Sequence, residues 1–376
     1  MDLASYIKQI FDEAKVKYAS DWQRPKVGWT CTYIPVEILE AASVIPVRIV
    51  PEPWAEKADA FLDPNFCPYV RACLGKALDG GYDELSGIIV ANSCDAMRRL
   101  HDAWRYYCPR GFHFLLDVPR IVTQDAVEYL RAGLDDLFSS LQSHFGLDIG
   151  EEDLRQAVGE LNRTRSLLGI LLSWRRQGRV ELSYADFLFI LDKQWELPRQ
   201  GYNYALERVI EAGPKAPTAR ANKPRVFITG SILDGRALID LIEDLGATVA
   251  GVDSCMAERI VPQVDLGEDI LGNLARSYLN KIPCARMKDS KKRAEYIIGK
   301  IRETGAEGLI YVGLKFCDPY LYEWPYLMEE MRVRRLPVLF LEGEYRGRMG
   351  GGIRTRVQAF LEMLGARKLV TEGATE

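Results

Sequence analysis

Two segments of the chain follow one plan, in which a short apolar run ends in Cys-Asp and leads into a helix. They are residues 87–95 and residues 308–318. Apolar runs of this length are typical of strands in a parallel sheet that is covered on both faces. Open α/β sheets bind their ligands at the carboxyl ends of the strands, which is where Cys94 and Cys317 lie. The repeated plan therefore predicts α/β units and places thiols at a ligand-binding edge.

Alternating strand and helix patterns extend this architecture. Between residues 46 and 120 the order is βαβαβ, which predicts a parallel sheet. A second βα series starts at residue 225, and helical periodicity dominates the region between the two. We predict two doubly wound, Rossmann- or flavodoxin-like parallel-sheet domains with a helical insert and an N-terminal helix. The predicted ranges are 1–122 for the N-terminal helix and first α/β domain, 123–213 for the helical region and 214–376 for the second α/β domain.

Composition limits the function classes. The chain has 376 residues, of which 48% are hydrophobic, so two domains with sizeable cores are expected. The net charge of −4 gives no electrostatic case for binding nucleic acid or an anionic membrane. No apolar run approaches the ~18 residues of a membrane span. The first residues lack the basic and apolar regions of a signal peptide, so we expect a cytoplasmic protein.

The cysteines indicate a metal site that the fold assembles. In a reducing compartment, the eight cysteines argue against a disulfide framework. The three histidines are too few and too scattered for a histidine-rich site. The thiols also lack the Cys-x-x-Cys spacing of a zinc ribbon or a bacterial ferredoxin. Any metal ligands must therefore come from distant segments.

Cys67, Cys94 and Cys317 share one property, which is a predicted position where a loop enters a helix on the ligand side of a sheet. A helix N-terminus lowers a thiol's pKa and favours the thiolate that binds metal. Three thiolates from two domains could converge on one iron–sulfur cluster in the interdomain cleft, which leaves one iron for a non-cysteine ligand or a substrate. The alternative is that the three are ordinary buried residues, because free cysteine is among the most buried types.

The other five cysteines rank below these three. Cys31 and Cys255 occupy strand-end or helix-start positions. Cys73 is expected to pack in the core. Cys108 and Cys284 lie beside prolines in turns, where no pattern supports a ligand role.

Several short motifs carry a family resemblance, in order, along nearly the whole chain. They include Gly28-Trp-Thr-Cys-Thr-Tyr-Ile-Pro-Val-Glu37, Cys67-Pro-Tyr-Val-Arg71, Asn92-Ser-Cys-Asp95, Lys315-Phe-Cys-Asp-Pro319 and Arg354-Thr-Arg-Val-Gln-Ala-Phe-Leu-Glu362. Of these, the Lys-Phe-Cys-Asp-Pro motif and the late Arg-Thr-Arg run are specific. With them the chain resembles the iron–sulfur subunits of the 2-hydroxyacyl-CoA dehydratase and benzoyl-CoA reductase family. Its length and its Lys-Phe-Cys-Asp-Pro motif look like the smaller, D-component-type subunit.

The resemblance implies one [4Fe–4S] cluster per chain, held by Cys67, Cys94 and Cys317 between two α/β domains. It implies a related second subunit in a heterodimer or heterotetramer, or else a homodimer. It also implies a separate iron–sulfur activator that hydrolyses ATP, so ATP would act only through that protein. In such a dehydratase, a lyase of anaerobic metabolism, one low-potential electron turns the thioester of a 2-hydroxyacyl-CoA into a ketyl radical anion, which loses water.

Alternatives remain open at this point. One is a subunit of a ring-reducing benzoyl-CoA reductase, which is an oxidoreductase. Another is a double-cubane-type protein, which holds a larger linked cluster in a homodimer and reduces a small molecule. A third keeps the fold without a cluster, and the presence of all three thiols argues against it. The sequence does not distinguish an electron-relay subunit from a substrate-binding one, and it does not name the acyl group.

Thr32 and Glu37 are predicted to be catalytic. The resemblance places their segment beside the open iron in substrate-binding subunits, where they would contact the substrate or leaving group. For Glu37, the alternative is a favourable charge in the first turn of a helix.

Overall fold

The computed structural model describes residues 3–19, 24–52, 56–180, 182–213, 223–233, 236–259, 263–345 and 351–373. This part of the chain contains two parallel sheets of four strands each. The strands of the first sheet are β1 (Lys26–Trp29), β2 (Ile45–Arg48), β3 (Gly87–Asn92) and β4 (Phe112–Asp117). The strands of the second sheet are β5 (Arg225–Gly230), β6 (Thr248–Asp253), β7 (Gly308–Leu314) and β8 (Val338–Gly343).

Helices connect the strands and cover both sheets, which confirms the predicted α/β class. In chain order they are α1 (Leu3–Lys17), α2 (Val36–Ala41), α3 (Pro68–Leu78), α4 (Asp95–Tyr107), α5 (Gln124–Phe145), α6 (Glu151–Arg176), α7 (Tyr184–Lys193), α8 (Arg199–Glu211), α9 (Ala237–Asp244), α10 (Ile270–Asn280), α11 (Ser290–Thr304), α12 (Asp318–Val333) and α13 (Gly351–Gly373), with a short 3₁₀ helix at Glu56–Ala60. None of the described helices is both long and apolar enough to cross a membrane.

The two sheets have the same strand order. It is β2-β1-β3-β4 in the first sheet and β6-β5-β7-β8 in the second. The connections leave in opposite directions from the central pair, so each sheet has a crevice at the carboxyl ends of that pair, where doubly wound proteins bind ligands. Strands β3 and β7 are buried along nearly their whole length, as their apolar runs predicted.

Helix α5 shows how local sequence fixes an element. Its apolar residues recur at helical spacing, and Leu130 and Leu134 are fully buried. The helix begins where the Thr123 side chain accepts a hydrogen bond of 3.2 Å from the amide of Ala126. It ends at Gly146, whose φ of 63° lies in the left-handed region that suits glycine. The predicted helical periodicity of this region is thereby confirmed.

Helix α6 links the two halves of the molecule through 26 residues. Leu154 and Val158, near its start, pack in the core that covers the first sheet. Leu168 and Leu171, near its end, pack in the core that contains residues of the second sheet. One rigid helix therefore contributes to two hydrophobic cores and limits how the sheets can move relative to each other.

Packing also crosses the predicted domain ranges. Phe11 of α1 lies in a core with residues of the second sheet, and Leu274 of α10 lies in a core with residues of the first. The predicted boundary at residue 214 opens a segment, 214–222, that lies outside the described residues. The three ranges therefore stay a prediction.

A buried ionic network stabilises the second domain. The Asp253 carboxylate, at the end of β6, lies 2.7 Å from Nε of Arg259 and 2.9 Å from Nη1 of Arg293. Arg293 also pairs with Glu323 of α12. Burial disfavours the Asp253 carboxylate, but the two guanidinium groups outweigh it and hold the pKa of Asp253 well below its usual range.

Asp253→Asn is expected to lower the free energy of unfolding by about 3–5 kcal/mol, because two buried arginines lose a shared counter-charge. Urea denaturation followed by circular dichroism measures the change. Asp102→Asn is the matched control, since Asp102 forms an exposed pair of 3.1 Å with Arg99, and it should cost less than about 0.5 kcal/mol. Equal unfolding midpoints for the two variants would contradict this account of the network.

Candidate functional site

A cavity of about 120 Å³, here called the thiol cavity, lies at the carboxyl ends of both sheets. Residues that follow strands β1, β3, β5, β6 and β7 line it, so both domains contribute. Six of the chain's eight cysteines are among the lining residues: Cys31, Cys67, Cys94, Cys255, Cys284 and Cys317. The fold thus gathers thiols that are separated by as many as 286 residues in sequence (317 − 31).

Cys67, Cys94 and Cys317, here the first thiol group, are the residues that precede the first turns of α3, α4 and α12. This position at a helix start is the one their sequence context predicted. A hydrogen bond from the Cys317 thiol, together with the backbone amides of Tyr69 and Val70, lowers the pKa of Cys67. The same hydrogen bond, with burial, raises the pKa of Cys317. Cys67 is therefore the more acidic thiol of the pair.

Burial and neighbouring thiols make Cys94 harder to ionise. Burial, with the neighbouring thiols, raises the pKa of Cys94 to about 11, although the amide of Met97 at the start of α4 opposes the shift. Several thiolates in one buried place repel one another unless a positive group lies among them. A bound metal supplies that positive charge, so thiols coordinated to it can all be deprotonated. The donor set of the first group therefore fits a metal centre.

Cys31, Cys255 and Cys284, here the second thiol group, lie among positive charges. Nη1 of Arg259 is 3.3 Å from the sulfur of Cys255 and 3.8 Å from that of Cys284. Burial opposes ionisation of Cys255, but nearby cations, foremost Arg259, outweigh it and lower its pKa. Burial and the adjacent thiols raise the pKa of Cys31. For Lys281 the effect of burial has the opposite sign: it lowers the pKa to about 8, although the three thiols raise it.

The thiols line one cavity without forming a compact site for a single ion. Within the described part of the chain, no three Cys, His, Asp or Glu side chains gather closely enough to hold one metal ion. The six thiols instead surround a common cavity. Cysteine thiolates are the protein ligands of iron–sulfur clusters, in which different irons take different thiolates. An iron–sulfur cluster therefore fits both the donor type and its distribution.

Two backbone features shape the edge of the cavity. Phe316 adopts a φ of 55°, in the left-handed region, and the amide of Cys317 donates a 3.1 Å hydrogen bond to the carbonyl of Leu314. This tight turn presents Cys317 to the cavity directly after β7. On the neighbouring strand, Gly230 has a φ of 142°, and a Cβ there would lie only 2.0 Å from the Val312 carbonyl oxygen. Only glycine allows the ends of β5 and β7 to approach so closely.

Arg286 fixes the loops on the opposite side. Its guanidinium lines the cavity and donates hydrogen bonds to the backbone carbonyls of Ser93 (3.3 Å), Pro119 (3.1 Å) and Val118 (2.6 Å). These carbonyls follow strands β3 and β4 of the first sheet. A residue from the second half of the chain therefore anchors the loop that carries Cys94.

Neither Thr32 nor Glu37 is among the described lining residues of the thiol cavity. The Thr32 hydroxyl accepts a 2.8 Å hydrogen bond from Lys281, and Thr32 lines an adjacent cavity. Glu37 is fully buried, pairs with Arg165 of α6 and accepts a 2.7 Å hydrogen bond from the Tyr278 hydroxyl of α10. Glu37 thus ties α2 to the helical region and to the second half of the chain. Catalytic roles for both residues stay a prediction.

For the remaining cysteines, the sequence could predict a place in the cavity only where the residue follows a strand. Cys31 and Cys255 follow β1 and β6, so strand-end position alone would have ranked them beside the first group. Cys284 lies in the loop between α10 and α11 and follows no strand, so no positional signal could have found it. Cys73 is fully buried in the core, as expected, and Cys108 ends α4 outside the cavity lining.

Glu37→Gln separates a structural role from a catalytic one. We expect a loss of about 3 kcal/mol or more in the free energy of unfolding, because Arg165 would lose its buried counter-charge. Chemical denaturation of the metal-free protein measures it, with the exposed Glu128→Gln on α5 as the control. Unchanged stability together with lost turnover would instead support the catalytic prediction.

Comparison with known proteins gives a consistent result. The chain matches the family model described as 2-hydroxyglutaryl-CoA dehydratase, D-component, over residues 31–364. A benzoyl-CoA reductase subunit of Thauera aromatica is 25% identical over 364 residues, which cover 93% of this chain and 94% of that protein. The (R)-phenyllactyl-CoA dehydratase beta subunit of Clostridium sporogenes is 23% identical (93% and 94% covered), and the lactoyl-CoA dehydratase beta subunit of Anaerotignum propionicum is 24% identical (96% and 97% covered). The family resemblance of the sequence motifs is confirmed, and the chain belongs to the 2-hydroxyglutaryl-CoA dehydratase D-component family.

Proposed function

We propose that this chain is the iron–sulfur subunit of a 2-hydroxyacyl-CoA dehydratase and holds a [4Fe–4S] cluster on Cys67, Cys94 and Cys317. The observation that carries the proposal is the convergence of three thiols, each at the start of a helix, on one cavity between two sheets. When bound, the cluster would supply single low-potential electrons for the radical loss of water from a 2-hydroxyacyl-CoA.

The chain's own groups suit a negatively charged cofactor. The backbone amides in the first turns of α3, α4 and α12 favour thiolates at Cys67, Cys94 and Cys317. Arg259 and Lys281 add positive charge beside the second thiol group. Such donors and charges around the sulfurs are among the features that set the reduction potential of a cluster.

An electron-relay role has support from the size of the site. The thiol cavity measures about 120 Å³, whereas pockets for drug-sized ligands measure about 300–1,000 Å³. A whole acyl-CoA exceeds this space, so we infer that it binds mainly on a related second subunit. The relatives are named as subunits of enzymes, which supports such a partner. Electrons would come from a separate activator that hydrolyses ATP.

The second thiol group favours a second candidate function. Cys31, Cys255 and Cys284 line the same cavity as the first group, so the chain offers a second set of three thiols there. This arrangement suits a double-cubane-type cluster, in which a homodimeric protein would use low-potential electrons to reduce a small molecule. Similarity to the benzoyl-CoA reductase of Thauera aromatica supports ring reduction as a further alternative.

Iron content tests the cluster and separates the candidates. Protein purified without oxygen should contain about four irons per chain for one cubane, or about eight for two linked cubanes. Cys317→Ser should lose the cluster in either case, whereas Cys284→Ser should lower the iron content only if the second group binds metal. Cys108→Ser, outside the cavity, is the control.

Two results would contradict the cluster proposal. One is a colourless, iron-free protein made under iron-replete anaerobic conditions. The other is unchanged iron content in Cys317→Ser, which would remove this residue from the ligand set.

Turnover tests the reaction class. Together with its partner subunit, activator, ATP and a reductant, the chain should support water loss from a 2-hydroxyacyl-CoA, and Cys94→Ser should abolish it. Product analysis by mass spectrometry gives the readout. Reduction of benzoyl-CoA without any dehydration would instead assign the chain to the reductases.

A further inference from the structure

Arg48 is a buried cation whose hydrogen-bonding capacity is not satisfied. It ends strand β2, and 6% of its surface is exposed. Its guanidinium stacks on Trp29, 4.2 Å from the ring centre. Among the residues that the structure describes, its Nε and Nη1 find no hydrogen-bond acceptor. Stacking fixes the plane of the guanidinium but leaves these N–H groups unpaired, and buried charged groups need acceptors to be stable.

Arg48 lies where three cavities meet. It lines the thiol cavity, a cavity of about 100 Å³ and a third of about 210 Å³, here called the side cavity. Apolar side chains of Leu188, Trp195, Leu233 and Met256 form much of the wall of the side cavity. A molecule in the side cavity would therefore meet apolar walls and one guanidinium, which also lines the thiol cavity.

The acidic residues of the side cavity do not pair with Nε or Nη1 of Arg48. Glu196 pairs with Lys193 at 2.6 Å. Asp192 also has an interaction of its own, and the unpaired Nε and Nη1 of Arg48 show that neither carboxylate reaches those two atoms. Two buried N–H donors of Arg48 are therefore left without an acceptor in the described part of the chain.

Arg48 acts on the thiols through its charge alone: after Arg259 it is the next cation that lowers the pKa of Cys255, but its Nε and Nη1 donate no hydrogen bond to a thiol. The second thiol group already has Arg259, whose Nη1 lies 3.3 Å from the sulfur of Cys255. Arg286 is the other cation among the described lining residues of the thiol cavity. Its guanidinium donates hydrogen bonds to backbone carbonyls. Arg48 instead keeps two donors without any acceptor, thiols included.

We propose that Arg48 binds the carboxylate of a small organic acid whose short apolar body lies in the side cavity. A guanidinium presents paired N–H donors that match a carboxylate. The volume of about 210 Å³ is below that of pockets for drug-sized ligands, so it suits a molecule of a few carbon atoms. This inference deepens the proposed function, since the bound acid would lie beside the thiol cavity, but the binding itself needs no cluster.

Isothermal titration calorimetry on the anaerobic, iron-containing protein tests the proposal. The probes are butyrate and 3-methylbutanoate, their neutral amides, and inorganic phosphate. We expect saturable binding of at least one carboxylate and at least tenfold weaker binding of its amide and of phosphate. Arg48→Gln should weaken carboxylate binding at least tenfold, and Arg48→Lys should weaken it less, because lysine keeps the charge but lacks the paired donors. Arg276→Gln, at an exposed position of α10, is the matched control and should leave binding unchanged.

The proposal is overturned if the wild-type protein binds neither carboxylate, or if amide or phosphate binds as tightly. Should Arg48→Gln fail to fold, the carboxylate-to-amide comparison on the wild-type protein and the Arg48→Lys variant decide the question. Iron measured in the same samples separates the two proposals. Iron-free protein that binds carboxylate contradicts the cluster alone, and iron-loaded protein that does not bind it contradicts this inference alone.

Discussion

The carboxyl ends of two parallel sheets face one cavity, and the chemistry of the site depends on that arrangement. Both sheets have the same strand order, so each opens a crevice at its central pair. Four thiols reach the cavity simply because they follow strands: Cys31, Cys94, Cys255 and Cys317. Helix α6, which enters two cores, and the buried contacts of Glu37 with Arg165 and Tyr278 hold the two halves together.

Charge balance is the second constraint. Six buried or half-buried thiols in one place would repel one another as thiolates, and the surrounding structure offsets this repulsion only at Cys67 and Cys255, whose pKa values are lowered. Backbone amides at a helix N-terminus lower the pKa of Cys67 in the first group, and Arg259 lowers the pKa of Cys255 in the second. Arg259 is held in place by Asp253, which Arg293 also neutralises. The ionic network that stabilises the second domain therefore also orients a cation toward Cys255 and Cys284.

The sequence predicted the fold well, because apolar strands and helical periodicity are local signals. Cys94 and Cys317 could be recognised as ligand-side residues since each ends an apolar run and begins a helix. Cys284 could not, because its place in the cavity arises from the packing of a loop rather than from a strand. The family motifs pointed to Glu37, but only the fold reveals its buried partner Arg165, which is 128 residues away in sequence. Arg48 shows the same limit, since unpaired donors are visible only when every neighbour is known.

The most direct test of the central claim is an anomalous difference map at the iron absorption edge from crystals grown without oxygen. We predict iron density inside the thiol cavity, bounded by the sulfurs of Cys67, Cys94 and Cys317. Density that extends to Cys31, Cys255 and Cys284 would identify the larger cluster of the second candidate. Crystals of iron-replete protein with no iron in the cavity, or with iron bound elsewhere, would contradict the account.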